Sequence, residues 1–252
     1  MMSDELMSEY LFSDGFKVLF IRDYWESKPG VFDYPASSHF VSLEEVFDAV
    51  TLMAERGPSD RLWIAKSGGV NSYDDFRMLQ HESINLFGPK ANDKDAAGFF
   101  SRMKPHSFGL NVHSLGSGKP AIDRRMSAII NDLALPDSPR SQQWVSDTFW
   151  GTYQATPFGI HRDPASVFVL CLLGDRTYYT WPMDYFSEGH QDLHNPSFEC
   201  VERHLEAAEV FEVTAGQAFY WPSNRWHVAT SNGEPSVVAQ ISAYFDPRDL
   251  GR

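Results

Sequence analysis

Hydrophobic and polar positions follow two different rhythms along the chain, and the change between them falls near residue 142. Before it, apolar residues recur at helical spacing in residues 42–56, where Ser42 and Glu45 have the spacing of a capping box. Residues 121–135 carry a second helical pattern, which Pro136 ends. These two segments are the clearest predicted helices.

Two other segments of the first half are less clearly patterned. Residues 16–25 (FKVLFIRDYW) are rich in β-branched and aromatic residues and predict a strand that leads into a turn-rich segment. Residues 72–87 are a candidate helix.

After residue 142 the chain becomes a series of short β-type runs separated by turn residues. The runs read QWVSDTFWGTYQAT, SVFVLCLLG, DRTYYTW, AEVFEVTAGQAFYWP and SVVAQISAYF. This regular spacing predicts a β-sandwich or barrel. We therefore expect a mainly β fold in one domain over 1–252, with a helix-rich part in 1–141 and a β core in 142–246.

Composition narrows the classes of partner. The formal net charge is −13 over 252 residues, which disfavours nucleic acid and anionic membrane surfaces because both require clustered cations. No apolar run reaches the ~20 residues that cross a bilayer, and the acidic start MMSDELMSEY does not look like a signal peptide. Two cysteines, Cys171 and Cys200, form no disulfide framework. We expect a cytoplasmic protein.

Polar residues interrupt the β core where a one-sided strand would not carry them. His161 and Asp163 are two apart, so on a strand their side chains share a face and can meet one metal. His227, which follows the turn SNRW and starts the next predicted strand, is the best third ligand. Two imidazoles and one carboxylate are the ligand set that leaves open positions on non-haem Fe(II).

These residues carry a family resemblance. The pattern His161-Arg162-Asp163, with His227 64 positions after the aspartate, resembles the cupin-like JmjC oxygenases, in particular their ribosomal-oxygenase and asparaginyl-hydroxylase branches. Arg176, fifteen positions after His161, matches the family's basic residue on the next strand. The segments DYWESKPGVF and GQAFYWPSNRWHVA also look like family segments.

The resemblance implies a double-stranded β-helix (jelly-roll, cupin) core with N-terminal helices, and Fe(II) and 2-oxoglutarate as cofactors. The metal and catalytic residues would be His161, Asp163 and His227, and Arg176 would bind the distal carboxylate of 2-oxoglutarate. The reaction would be hydroxylation of a peptide or protein side chain with O2, as 2-oxoglutarate is decarboxylated to succinate. A small metabolite is the alternative substrate.

Two departures leave the second partner of that carboxylate open. Arg162 stands between the ligands where many relatives have an aromatic residue, and Phe158 stands where some have a cosubstrate-binding threonine. Tyr153 and Gln240 are the candidates for further cosubstrate contacts.

Other interpretations compete with this one. An isolated H-x-D pattern is usually a solvated strand end, and Arg176 could be a surface residue paired with Asp175 or Asp163. A metal-binding cupin without a cosubstrate, either an isomerase, a dioxygenase or a non-enzymatic sensor, would not need Arg176. His190 and His194, four apart, suggest a second metal set with His204, but Gly189 and the following Asn-Pro predict a loop.

Substrate and assembly are weakly constrained by the sequence. Four tryptophans could line a pocket or simply pack in the core: Trp150, Trp181, Trp221 and Trp226. The chain ends soon after the last predicted strand, without the C-terminal regions of larger ribosomal oxygenases, which disfavours a ribosomal protein as substrate. A homodimer is left open.

Overall fold

Two antiparallel sheets form the framework of the computed structural model. It describes residues 12–34, 41–56, 62–66, 87–104, 108–136, 144–153, 156, 159–186 and 201–245. Its helices are α1 (Asp14–Asp23), α2 (Leu43–Glu55), α3 (Ala96–Met103), α4 (Pro120–Leu133) and α5 (Val201–His204). Its strands are β1 (Gly30–Asp33), β2 (Leu62–Lys66), β3 (Phe108–His113), β4 (Trp144–Gly151), β5 (His161–Arg162), β6 (Ala165–Leu173), β7 (Asp175–Trp181), β8 (Glu209–Thr214), β9 (Gln217–Trp221), β10 (Trp226–Thr230) and β11 (Ser236–Tyr244).

Strands β4 to β11 make a double-stranded β-helix. The large sheet has the order β1-β9-β6-β11-β4-β3-β2, and the small sheet has the order β5-β10-β7-β8. The eight core strands thus divide as β4, β6, β9 and β11 against β5, β7, β8 and β10, which is a jelly roll. The predicted fold class, with helices in the N-terminal part, is confirmed.

The large sheet buries both of its faces. Its outer face packs against the helices in an aromatic-rich core that includes Trp150, Phe99, Phe108 and Phe20. Its inner face packs toward the small sheet through a second core that includes Val169, Phe219, Tyr178 and Val238. Successive residues of one strand therefore belong to two different environments.

The prediction of a strand over residues 16–25 is wrong, because this segment forms helix α1. Ser13 caps the helix by accepting a hydrogen bond from the backbone N–H of Phe16 at 3.2 Å. The rings of Phe16 and Phe20 stack at 5.9 Å, as residues four apart do on a helix. The ring of Phe20 is buried and packs against the ring of Tyr220 in the sheet. Helical spacing of the aromatics therefore outweighed their preference for strands.

The helix predicted over 42–56 is confirmed as α2, and its capping box is present. Ser42 accepts from the backbone of Glu45 at 3.1 Å, while the Glu45 carboxylate accepts from the backbone of Ser42 at 3.0 Å. The helix predicted over 121–135 is α4, which begins at Pro120 and ends at Leu133. Residues 72–86 of the candidate third helix lie outside the described residues.

All five predicted β-type runs form strands, but the large sheet is wider than predicted. Strands β1, β2 and β3 come from the part expected to be helix-rich, and they extend both edges of the large sheet. Five of the six residues of β3 are buried, so it shows no alternation of polar and apolar residues. Without that alternation, its pattern did not distinguish it from irregular structure.

Candidate metal centre

The three residues of the predicted metal set meet at one end of the small sheet. His161 opens β5 and lies directly opposite His227 in the β5–β10 pairing, so the two imidazoles share a face. Asp163 directly follows β5, which has only two residues. His227 is the second residue of β10, because the strand begins at Trp226, one position before the start at His227 that the sequence predicted.

The side chains converge closely enough to share one ion. One ligand atom from each of His161, Asp163 and His227 lies within 4.8 Å of the other two. The imidazole centroids are 4.2 Å apart, and Nε2 of His227 is 3.6 Å from Oδ2 of Asp163. The His227 side chain is only 6% exposed whereas that of Asp163 is 36% exposed, so the group opens to solvent on the aspartate side.

Backbone carbonyls fix the tautomers of both imidazoles. Nδ1 of His161 lies 2.9 Å from the carbonyl oxygen of Gly159, and Nδ1 of His227 lies 3.0 Å from that of Arg225. Since a carbonyl only accepts, each Nδ1 carries a proton, and Nε2 is the nitrogen left to face an ion. Burial, with help from His161, lowers the pKa of His227 to about 4. His227 is thus neutral near pH 7, the form that binds metal.

Arg162, between the two ligands of the H-x-D pattern, points away from them. It lies opposite Trp226 in the β5–β10 pairing, and its guanidinium lies 5.0 Å from the centre of that ring. Trp226 belongs to a separate cluster on the outer face of the small sheet, with Trp181. The departure from the family's aromatic residue therefore affects the outer surface of the sheet and not the predicted metal set.

Arg176 is buried on the inner face of β7. Thr180 of the same strand lies opposite His227, and Tyr178, two residues before it, packs against the inner face of the large sheet. Arg176 is two residues further along and hence faces the same side. Its Cα is about 13 Å from that of Thr180 at ~3.3 Å per residue. We call the region between the sheets from His227 to Arg176, which includes the packed side chains of the inner core, the chamber.

Among the described residues, the guanidinium of Arg176 has neutral partners, one of which is the hydroxyl of Tyr178 on the same strand. Its Nε donates to Oγ of Ser236 at 3.2 Å and its Nη2 donates to the carbonyl oxygen of Phe149 at 3.3 Å. The residue is 2% exposed, and its guanidinium lies 5.4 Å from the ring centre of Tyr153. Within the described part of the chain no carboxylate pairs with it, so the interpretation as a surface residue paired with Asp175 or Asp163 is wrong.

Tyr153 and Gln240, the two candidates for further cosubstrate contacts, both lie on the inner side of the large sheet, in different surroundings. Tyr153 is 1% exposed, and its hydroxyl has no hydrogen-bond partner among the described residues. Burial raises the pKa of this phenol, so it remains a neutral donor. Gln240 lies on the inner face of β11 and donates to Ser242 at 3.4 Å, a long hydrogen bond.

Asn111 is a chamber residue that the sequence did not reveal. It lies opposite Phe149 in the β3–β4 pairing, on the face away from the helix-side residues Leu110 and Val112. It is 4% exposed, and neither its amide nitrogen nor its oxygen finds a partner among the described groups. A buried amide without partners is costly, which makes it a candidate ligand contact. The sequence pattern did not identify β3 as a strand, and without that strand Asn111 could not be assigned to the inner face.

The four tryptophans have separate roles. Trp221 is the one that contacts the metal set, with its ring 4.6 Å from that of His227 and its indole N–H unpaired among the described groups. Trp150 lies in the helix-side core, whereas Trp181 and Trp226 lie in the outer cluster of the small sheet. Core packing is therefore the role of three of them.

His190 and His194 lie outside the described residues, so the second metal set is not tested. Cys171 is fully buried in the inner core, where burial raises the pKa of its thiol to about 11 and keeps it neutral. Cys200 also lies outside the described residues. Among the described helices, none is both long and apolar enough to cross a membrane.

The structure resembles solved structures of an Escherichia coli protein, YcfD. An X-ray structure of YcfD has a TM-score of 0.55 and 13% sequence identity, with 95% of this chain and 55% of that chain covered. The two chains share a fold. YcfD is described as a ribosomal oxygenase in a complex with cobalt and succinic acid (TM-score 0.54, 15% identity, 96% and 54% covered). It is also known with cobalt and 2-oxoglutarate (TM-score 0.51, 16% identity, 93% and 53% covered).

These likenesses have defined limits. This chain spans about half the length of the YcfD chains that it matches. No protein-family model matches the sequence, and no curated protein is similar to it at a significant level. At 13–16% identity the comparison shows a common fold. Function therefore has to be argued from the residues of the site.

Proposed function

We propose that this protein is an Fe(II)- and 2-oxoglutarate-dependent oxygenase. The observation that carries the proposal is the combination of two features on one inner face of the small sheet. One is the group His161, Asp163 and His227, and the other is the buried guanidinium of Arg176. The first fits a divalent metal, and the second fits an anion that reaches toward it.

The donor set suits Fe(II). Two imidazoles and one carboxylate form a facial triad, which leaves positions on the metal for other ligands. Both imidazoles are oriented by carbonyls, as metal-binding histidines usually are. The roles of His161, Asp163 and His227 as metal ligands and catalytic centre are part of this proposal.

Arg176 favours an oxygenase that uses 2-oxoglutarate over a cupin that uses only a metal. A buried cation without an anion is costly, and the described partners of Arg176 are two hydroxyls, a carbonyl and an aromatic face. A carboxylate would complete the pairing through two parallel hydrogen bonds. A cosubstrate-free isomerase, dioxygenase or sensor gives no reason for this group.

Three further chamber residues are proposed as cosubstrate contacts. Tyr153 can donate its unpaired hydroxyl beside Arg176, and Asn111 can donate from its unpaired amide at the same level of the chamber. Gln240 lies between these residues and the metal set on the inner face of β11. Their hydrogen bonds would orient the diacid along the chamber.

When bound, the metal and cosubstrate supply oxidative chemistry, in which one atom of O2 enters the substrate and the other enters succinate as CO2 leaves. The protein's part is to hold the reacting groups. Trp221 against His227 shields one side of the metal set, while the 36% exposed Asp163 marks the open side. We place the entry of substrate on that open side.

A peptide or protein side chain is the substrate class that we propose, with a small metabolite as the alternative. The description of YcfD as a ribosomal oxygenase supports a protein substrate only by analogy of fold. We propose a cytoplasmic location, as we expect from the sequence. We also propose that the chain forms one domain, with the β core in 142–246, and leave a homodimer open.

Anaerobic absorbance spectroscopy tests the cofactor assignment. We expect Fe(II) followed by 2-oxoglutarate to produce a weak visible charge-transfer band in the wild type. Arg176→Ala should require far more 2-oxoglutarate to reach the same band, because the anion loses the buried cation proposed to pair with it. Arg124→Ala, which removes an exposed arginine of α4, is the matched control and should behave as the wild type.

Two outcomes would reject the assignment. If Fe(II) binds but no band forms at any 2-oxoglutarate concentration, the cosubstrate-free cupin replaces it. If Fe(II) does not bind, the three converging side chains are not a metal centre.

A further inference from the structure

The exposed residue Glu26 lies at the centre of a hydrogen-bond network on the outer face of the large sheet. Its carboxylate accepts from the hydroxyls of Ser166, of Tyr220 (3.1 Å) and of Ser223 (2.7 Å). The hydroxyl of Tyr220 in turn accepts from the backbone N–H of Glu26 at 2.9 Å. One surface carboxylate therefore joins three hydroxyls from two strands and one turn.

Two of these partners are rigid anchors. Ser166 on β6 and Tyr220 on β9 are fully buried, and Ser166 also accepts from the backbone N–H of Ser223 at 3.1 Å. Glu26 itself has a φ of 51°, an unusual backbone conformation for a residue that is not glycine. Such a conformation persists where surrounding contacts hold it, and it is often found at functional sites.

The third partner, Ser223, belongs to the turn 222–225 between β9 and β10, and this turn contacts two of the proposed metal ligands. The backbone N–H of Asn224 donates to the carbonyl oxygen of Asp163 at 2.8 Å. The carbonyl oxygen of Arg225 accepts from Nδ1 of His227 at 3.0 Å. The turn thus sets the position of the aspartate backbone and the orientation of the imidazole.

We infer that Glu26 is a positioning residue for the metal centre, acting through Ser223 and the turn 222–225. The inference rests on the proposed function, because it assigns a role toward the metal that His161, Asp163 and His227 would hold. Partners of metal ligands orient the ligands and raise their affinity for the ion. Glu26 would not contact the ligands directly, because its effect would pass through Ser223 and the turn 222–225.

Cobalt(II) titration of three variants tests this role. We expect Glu26→Gln and Ser223→Ala each to weaken Co(II) binding by about three- to tenfold, less than the 10- to 100-fold typical of direct partners of the ligands. The double variant should bind about as well as the weaker single variant, since both remove the same connection. Glu44→Gln, the same change at an exposed position of α2, is the control and should leave affinity unchanged.

Amide exchange separates positioning from general stability. In the metal-free protein, the Asn224 amide should exchange faster in Glu26→Gln than in the wild type, while amides in the centre of β11 should not change. Thermal unfolding of every variant is measured alongside, so that affinity is compared well below unfolding.

Two negative results have different meanings. If the wild type binds Co(II) and Glu26→Gln binds it equally well, the role of Glu26 is rejected while the proposed function stands. If the wild type binds no Co(II), the proposed function is rejected and the role of Glu26 is rejected with it.

Discussion

The two faces of the large sheet use the same strands for different purposes. On the outer face of β4 polar groups are paired: Trp150 donates to the Thr148 hydroxyl at 2.8 Å, and that hydroxyl donates to the carbonyl of Val238 at 2.6 Å. On the inner face Asn111 and Trp221 keep buried polar atoms for which the described residues offer no partner. The outer face is thus organised for stability, whereas the inner face holds groups that a ligand could complete.

The largest expected effect on stability is at the outer face. Trp150 is fully buried against Phe47, Phe99 and Phe100, so Trp150→Ala removes a large ring from a packed aromatic core. We expect the free energy of unfolding to fall by about 3–5 kcal/mol, measured by urea denaturation. The affinity of the folded variant for Co(II) should stay close to that of the wild type. A large loss of metal affinity at full folding would contradict the separation of the two faces.

The opposite result is expected at the inner face. Arg176→Leu exchanges a buried cation that has no carboxylate partner for an apolar side chain, so the free energy of unfolding should be unchanged or about 1 kcal/mol higher. Affinity for 2-oxoglutarate should fall by at least about 30-fold, which corresponds to the ~2 kcal/mol or more lost when one partner of a buried charge pair is removed. Calorimetric titration of the metal-loaded protein measures it. A destabilised variant with normal 2-oxoglutarate affinity would show that Arg176 is structural.

At Asn111 we again expect a gain in stability and a loss of 2-oxoglutarate affinity, and the loss of affinity should be smaller. Asn111→Leu removes a buried amide with no described partner, so the free energy of unfolding should rise by about 1 kcal/mol. If the amide contacts the cosubstrate, 2-oxoglutarate affinity should fall by roughly tenfold, the value of one hydrogen bond to a charged group. Denaturation and titration are measured on the same preparation. Lower stability with unchanged affinity would mean that the amide is satisfied within the protein.

The site was easier to predict from sequence than the sheet around it. His161, Asp163, His227 and Arg176 are polar residues within apolar strands, and such residues stand out because burying them needs a reason. The chamber contact Asn111 did not stand out, because β3 is buried on both faces and shows no alternation. The convergence of His161, Asp163 and His227 could therefore be predicted from spacing on recognised strands, whereas the position of Asn111 on an unrecognised strand could not.

The misassigned segment shows a related limit of local reasoning. Residues 16–25 have the composition of a strand, but the spacing of Phe16 and Phe20 suits a helix that packs its aromatic side on the sheet. The helical spacing is favoured because the large sheet supplies an apolar surface on which the aromatic side of the helix packs. The positions of Glu26 and the turn 222–225 depend on the same packing, since their contacts join parts of the chain nearly 200 residues apart.

The smallest effect is expected where the outer face is furthest from the chamber. Ser42→Ala removes the hydroxyl that accepts from Glu45 at the start of α2, and loss of an N-cap costs about 1 kcal/mol. Thermal or urea unfolding should show this loss, while Co(II) and 2-oxoglutarate affinities should match the wild type. Because α2 packs on the outer core and contributes no chamber residue among those described, a change in either affinity would mean that the helix layer and the chamber are energetically coupled. The helices would then influence ligand binding as well as stability, and the two faces of the sheet could not be treated as independent.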